Sequence, residues 1–279
     1  MNNNYIFKIC RVHNLIDLET VKSNTNVNMI GIHAVYYNQE EYKNSEKKYN
    51  PIYSNYENTD QLPIATFELD SIREMQKYIP DDIIPVILFQ RTLSIEKMKK
   101  CIELYNISKK NFYIQLHYRI NNDEIINIKS KLSKNIIATI GIYQDDFTEY
   151  FNNLQKILNN KSDYILIDLS EHQSNLSIYD KNVDKLKKLK EVIPKIQNNK
   201  IPIILADDTN PVTMKNYLDE INKYKILIKG IDMQNAVEFN KEEQKYELLS
   251  DKGAKYQIKV RKSNTLMKNW NNFLDYQWL

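Results

Sequence analysis

Six side chains of catalytic type stand at or just beyond the ends of apolar, β-branched runs: Cys10, His33, His117, Asp168, Asp207 and Asp232. Carboxylates and imidazoles in such places can exchange protons or ligate a metal, and a thiol can act as base or nucleophile. A metal-dependent enzyme built from His33, His117, Asp168 and Asp207 is one reading, but no close ligand spacing supports it. Cys10 has a bland alternative, because a lone cysteine ending a strand also serves as a small buried apolar side chain. Asp168 is harder to dismiss, since a carboxylate closing the apolar run Tyr164 to Ile167 is costly to bury unpaired. Cys101 falls on the core face of a helix pattern with Met98 and Ile102 and reads as packing. The two cysteines form no redox or metal motif.

The elements that must carry these residues alternate regularly. Strand signals cover 5–10, 29–35, 84–89, 111–116, 136–142, 164–168, 201–206 and 226–231. Helix patterns cover 15–23, 67–78, 94–105, 123–132, 146–158, 182–197 and 211–224, with Ser94 placed as an N-cap. Alternation of this kind is how a parallel sheet with crossover helices appears in sequence. Eight units fit one closed (β/α)8 barrel, a TIM barrel, although a doubly wound open sheet uses the same local grammar. A single domain over 1–279 is expected, with a long loop insertion at 38–63 overhanging the C-terminal barrel face and a last helix at 266–279.

The chain has 39 Lys and Arg against 36 Asp and Glu, a net charge of +3 that is too small and too evenly spread to concentrate nucleic acid. The basic run Lys185, Lys187, Lys188 and Lys190 is interleaved with Leu186, Leu189, Val192 and Ile193, and reads as a solvated helix face. Neither a secretory pattern nor a membrane-spanning run is visible. The expectation is a cytoplasmic protein with free thiols and a small-molecule substrate, with no nucleic-acid or membrane partner; the oligomeric state is not legible.

The order of short motifs adds a family resemblance. Lys8-Ile9-Cys10 is followed by Met29-Ile30-Gly31, Gln115-Leu116-His117, Leu166-Ile167-Asp168, Ile204-Leu205-Ala206 before Asn210-Pro211, and Asp232 with Val237-Glu238. In this collinear order, over about residues 5 to 240, the chain resembles the phosphoribosylanthranilate isomerases. The resemblance implies an Amadori rearrangement, in which an N-linked aminoaldose phosphate opens and becomes an aminoketose. Cys10 would then be the general base and Asp168 the general acid, with no cofactor and no metal. For that role the thiol must be acidified by positive charge, which Lys8 or Arg11 could supply. The substrate-binding set would comprise Lys8, Arg11, His33, His117, Asp207, Asp208, Asp232, Gln234 and Asn235.

The chain departs from the pattern where the family grips phosphate with glycine-rich turns. Asp207-Asp208 occupies the Gly-Gly position, and Gln234-Asn235-Ala236 the Ser-Ser-Gly position. The loop after the sixth strand reads Glu171-His172-Gln173-Ser174-Asn175, and ungapped alignment puts Glu40 at the family's carboxylate-binding arginine. Of the 4 glycines, Gly31, Gly141, Gly230 and Gly253, only Gly253 is expected near a substrate loop. Two carboxylates beside a phosphate dianion would repel it by several kcal/mol. The sequence therefore points to a diverged isomerase-like enzyme using a Cys/Asp pair, for acid–base or covalent chemistry, on a small non-phosphorylated substrate. A non-catalytic binding or scaffold barrel of the same descent is the alternative.

Overall fold

A computed structural model describes residues 6–10, 12, 15–22, 27–33, 72–89, 92–104, 111–132, 135–169, 178–196, 199–207 and 211–233. Among these, eight strands close into one barrel in sequence order. They are β1 (Ile6–Ile9), β2 (Met29–His33), β3 (Ile84–Phe89), β4 (Tyr113–Leu116), β5 (Ile136–Gly141), β6 (Tyr164–Asp168), β7 (Ile203–Ala206) and β8 (Ile228–Met233). All eight pairings are parallel, including the closing pair of β1 with β8. The closed barrel is thus the correct choice over an open sheet. The expected insertion at 38–63 and helix at 266–279 lie outside the described residues.

The helices between strands are α1 (Leu15–Lys22), α2 (Ile95–Leu104), α3 (Asn122–Lys131), α4 (Phe147–Ile157), α5 (Ile178–Val192) and α6 (Pro211–Asn222). Between β2 and β3 the described part of the expected helix is a short turn ending in the 3-10 segment Gln76–Tyr78. Caps fix several starts: Ser94 Oγ accepts from the Lys97 amide at 3.3 Å, and Asn121 Oδ1 accepts from the Glu124 amide at 2.9 Å. Helix α5 begins at Ile178, four residues before the expected start at 182.

Side chains alternate across each strand, so the barrel has two apolar populations. Outward residues such as Phe7, Ile30, Ile87, Ile114 and Ile167 pack with the helices in the main core. Inward residues Ile6, Met29, Val86, Tyr113, Ile137, Leu166 and Ile204 form a separate plug. Following the register around eight staggered strands stacks the inward positions in rings drawn from alternate strands. Met29, Tyr113, Tyr164 and Gly230 share a low ring; Lys8, Val86, Ile137 and Ile204 lie above it. Next come Gly31, Gln115, Leu166 and Asp232, then Cys10, Leu88, Thr139 and Ala206, with His33, His117 and Asp168 at the C-terminal rim. The barrel interior is apolar at its base and polar at its mouth.

A glycine is required at Gly230, where a Cβ would lie 2.1 Å from the Ile6 carbonyl oxygen across the β1–β8 pairing. Only a bare backbone lets the barrel close there.

Candidate active site

The first polar constellation joins β1 and β8. Lys8, fully buried, reaches up from the apolar ring and donates to Asp232 Oδ2 at 2.6 Å and to Cys10 Sγ at 2.7 Å. The Cys10 thiol in turn lies 3.5 Å from the same carboxylate oxygen. Gly31 makes room for this group: a Cβ there would meet Cys10 Sγ at 2.8 Å and Lys8 Nζ at 3.1 Å. The expectation that only Gly253 could lie near the site is therefore wrong. A glycine inside a strand signals close approach of other groups, and here those groups are the thiol and the ammonium.

Burial and charge set the protonation states. Burial alone would pull the Lys8 ammonium down, but Asp232 and Cys10 more than offset it, so its pKa is raised and it stays charged. Burial pushes the Cys10 thiol up to about 12, and the Asp232 carboxylate adds to the rise while Lys8 opposes it. Lys8 is thus placed as the sequence suggested and pulls the thiol pKa down, but burial and the Asp232 carboxylate outweigh it. Arg11 lies outside the described residues. Cys101, buried on α2 as expected, is also pushed up to about 12 by burial.

A direct expectation follows. In the folded, ligand-free protein neither thiol should react with iodoacetamide at pH 8, and both should react once urea unfolds the chain. The raised thiol pKa values also stabilise the fold below about pH 9, and this contribution is lost as pH climbs through about 12. Thermal scans should show the melting temperature falling over that window, more in wild type than in Cys101→Ala. Rapid labelling of Cys10 at pH 8 would show instead that the thiol is activated at rest.

The second constellation sits on the rim, where His117 Nε2 lies 3.3 Å from Asp168 Oδ2. His117 directly follows β4 and Asp168 ends β6, so their rings coincide and the side chains meet. His33 is buried on β2 at the same level. The five site residues expected at strand ends, Cys10, His117, Asp168, Asp207 and Asp232, all lie at or just beyond the C-terminal ends or within the last turn of chain before them. Among the described residues, no three His, Cys, Asp or Glu side chains come together as metal ligands.

Asp207 is buried beyond β7, and Lys185 of α5 donates to its Oδ1 at 2.6 Å. This corrects two expectations. Lys185 is not on a solvated face; it stands four residues before Leu189 and seven before Val192, on the inward stripe of α5, and is buried. And Asp207 does not carry a free charge toward a bound anion, since Lys185 neutralises it. The same turn of α5 is further anchored by the Tyr143 hydroxyl, which donates to Asp184 Oδ2 at 2.9 Å, and by the Tyr217 hydroxyl, 3.3 Å from Asn182 Oδ1. Asp208, Gln234 and Asn235 lie outside the described residues, as does Glu40.

Two interior residues escaped the sequence reading. Gln115 and Thr139 are buried, and Gln115 Oε1 and Thr139 Oγ1 have no hydrogen-bond partner among the described residues. Their signal was a polar residue at an inward strand position above the plug.

Comparison with known proteins adds relatives. No family model matches the chain. A curated N-(5'-phosphoribosyl)anthranilate isomerase from Methanococcus aeolicus is 27% identical, with the match covering 68% of this chain and 95% of that protein. The solved N-(5'-phosphoribosyl)anthranilate isomerase of Pyrococcus furiosus superposes with a TM-score of 0.56 at 17% identity, covering 96% of this chain and 99% of that one. A tryptophan synthase alpha chain from Legionella pneumophila gives a TM-score of 0.54 at 9% identity, covering 99% and 94%. The two structures share the barrel fold, and the curated sequence supports a relationship to the phosphoribosylanthranilate isomerases.

Proposed function

We propose that this chain is an isomerase-type barrel enzyme that moves a proton between neighbouring carbons of an amino sugar or a similar hydroxy-carbonyl compound. The observation that carries this reading is the change of the barrel interior from an apolar plug to the polar groups Lys8, Cys10, Asp232, His117 and Asp168 stacked toward one mouth. Even a paired buried charge is often no more stabilising than apolar residues of the same volume, so packing alone does not call for this group. The curated relative is named as an isomerase.

The chemistry divides between two sides. The His117–Asp168 pair holds the proton that goes to the ring oxygen, and the ring C–O bond breaks. Cys10 takes the proton from the adjacent carbon, and its own thiol proton passes to Asp232 Oδ2, 3.5 Å away. The resulting enolamine gains a proton at C1 and loses its enol O–H proton to give the aminoketose, so the product is an isomer and no oxidant is needed.

The substrate on this reading lacks a phosphate at the mouth of β7. The Lys185 charge is already taken by Asp207, whose side chain stands just beyond β7 where a glycine would leave a bare amide for an anion. Kinetics on phosphoribosylanthranilate and on its unphosphorylated ribosyl counterpart test this. The unphosphorylated compound should be turned over at least as well, and efficient turnover of the phosphorylated one alone would overturn the substrate assignment.

The thiol's burial also favours a second reading, a binding barrel in which Cys10 only packs. Isomerisation of neither compound, together with tight binding of one, would select it.

A further inference from the structure

We infer that Gln115 and Thr139 form the substrate-reading wall of the barrel mouth, facing the Lys8–Cys10–Asp232 group, and that they bind an uncharged, hydroxyl-bearing carbon chain. The inference rests on the isomerase reading and names the part of the substrate that the catalytic groups do not touch.

The geometry comes from the register. Strands four apart stand opposite each other in an eight-stranded barrel. Gln115 on β4 and Asp232 on β8 share one ring, so they face each other across it. Thr139 on β5 and Cys10 after β1 face each other one ring higher. Gly31 contributes no side chain to the lower ring, and the thiol and ammonium fill the space beside it.

The chemistry comes from atoms that the protein leaves unmatched. Gln115 Oε1, Thr139 Oγ1 and Asp232 Oδ1 are buried without a hydrogen-bond partner among the described residues, whereas Asp232 Oδ2 is fully engaged. Gln115 is 1% exposed and Thr139 and Asp232 are each 6% exposed, so bulk water does not serve them freely. Two of the three atoms only accept hydrogen bonds, and the hydroxyl of Thr139 does either. A matching ligand must present donors on two opposite sides at this level. A carboxylate or phosphate presents acceptors only and is rejected by the same atoms. A cation on Asp232 Oδ1 would stand beside the Lys8 ammonium, already 2.6 Å from the other oxygen. Neutral hydroxyl groups on successive carbons meet all of these conditions.

Near-isosteric apolar variants separate this role from a structural one. Titration calorimetry with ribitol and xylitol would be run on the wild-type chain, Gln115→Leu, Thr139→Val and Cys10→Ala, with melting temperatures measured alongside. Wild type should bind at least one polyol, and each of the two wall variants should bind it about tenfold more weakly, the scale for one lost hydrogen bond. Their melting temperatures should stay level or rise, because an unmatched buried polar atom has been removed. No polyol binding by wild type, an affinity within about twofold of it in both wall variants, or a melting temperature lowered by more than about 5 °C would each overturn the inference. Cys10→Ala keeps the two claims apart: polyol binding retained there, with isomerisation unaffected by the loss of the thiol, counts against the acid–base reading alone.

Discussion

Cys10→Ala and Asp168→Asn should each fold as the wild type does and each lose at least about a hundredfold in turnover of the isomerised substrate, the scale for removing a general acid or base. Cys10 directly follows β1 and Asp168 ends β6, so the two are far apart in sequence yet open on one barrel mouth. Neither is needed to close the core: Cys10 lies beside Gly31, and Asp168 meets His117 at the rim. Circular dichroism and melting curves check the folding half of the expectation, and steady-state kinetics the other. If Cys10 acts covalently, its loss is the more severe of the two, and intact-mass analysis of the turning-over enzyme would reveal an adduct on the thiol. Full activity in both variants would place the chemistry elsewhere.

The largest effect on stability is expected at Lys8. Lys8→Met removes the ammonium that pairs with the Asp232 carboxylate, which is 6% exposed, and among the described residues leaves only the weakly polar Cys10 thiol beside that buried charge. Breaking one side of such a pair costs about 3–5 kcal/mol. Urea unfolding should show that loss as a lowered midpoint at unchanged slope. The double variant Lys8→Met with Asp232→Asn should recover most of it, because the neutral amide no longer needs a counter-charge. The contrast matters, since a buried ion pair is often no more stabilising than apolar residues of the same volume. The fold keeps this pair where the proposed chemistry needs a charge. A Lys8→Met protein as stable as wild type would mean that Asp232 is already neutral or reaches solvent.

Much of the fold was legible because β-branched runs and helical stripes are local signals. Ile84–Phe89 and Tyr164–Asp168 are read to the residue, and the other strands differ at their ends by one to two residues. Choosing a barrel over an open sheet required the pairing of β1 with β8, 224 residues apart at Lys8 and Asp232, which no local pattern encodes. The site was legible in the same uneven way. Cys10 and Asp168 are singled out by motif order, but the state of the thiol depends on its burial in the assembled barrel and on Asp232 arriving from the far end of the barrel sequence. Lys185 carried a signal that charge counting hid: its spacing to Leu189 and Val192 places it on the buried stripe. Gly31 carried one too, as a glycine inside a strand. Gln115 and Thr139 became visible only when the rings were assembled, since a polar residue in a strand reads as outward until the register is known.

The most direct test of the account follows the proton itself. A ribosylamine that the enzyme binds would be incubated in D2O with wild type, Cys10→Ala and Asp168→Asn, and loss of the C2 proton signal followed by NMR. The account predicts exchange at C2 with wild type, its near abolition with Cys10→Ala, and strong slowing with Asp168→Asn, where ring opening is impaired. Exchange by Cys10→Ala at the wild-type rate, or none with wild type above the enzyme-free control, would contradict it.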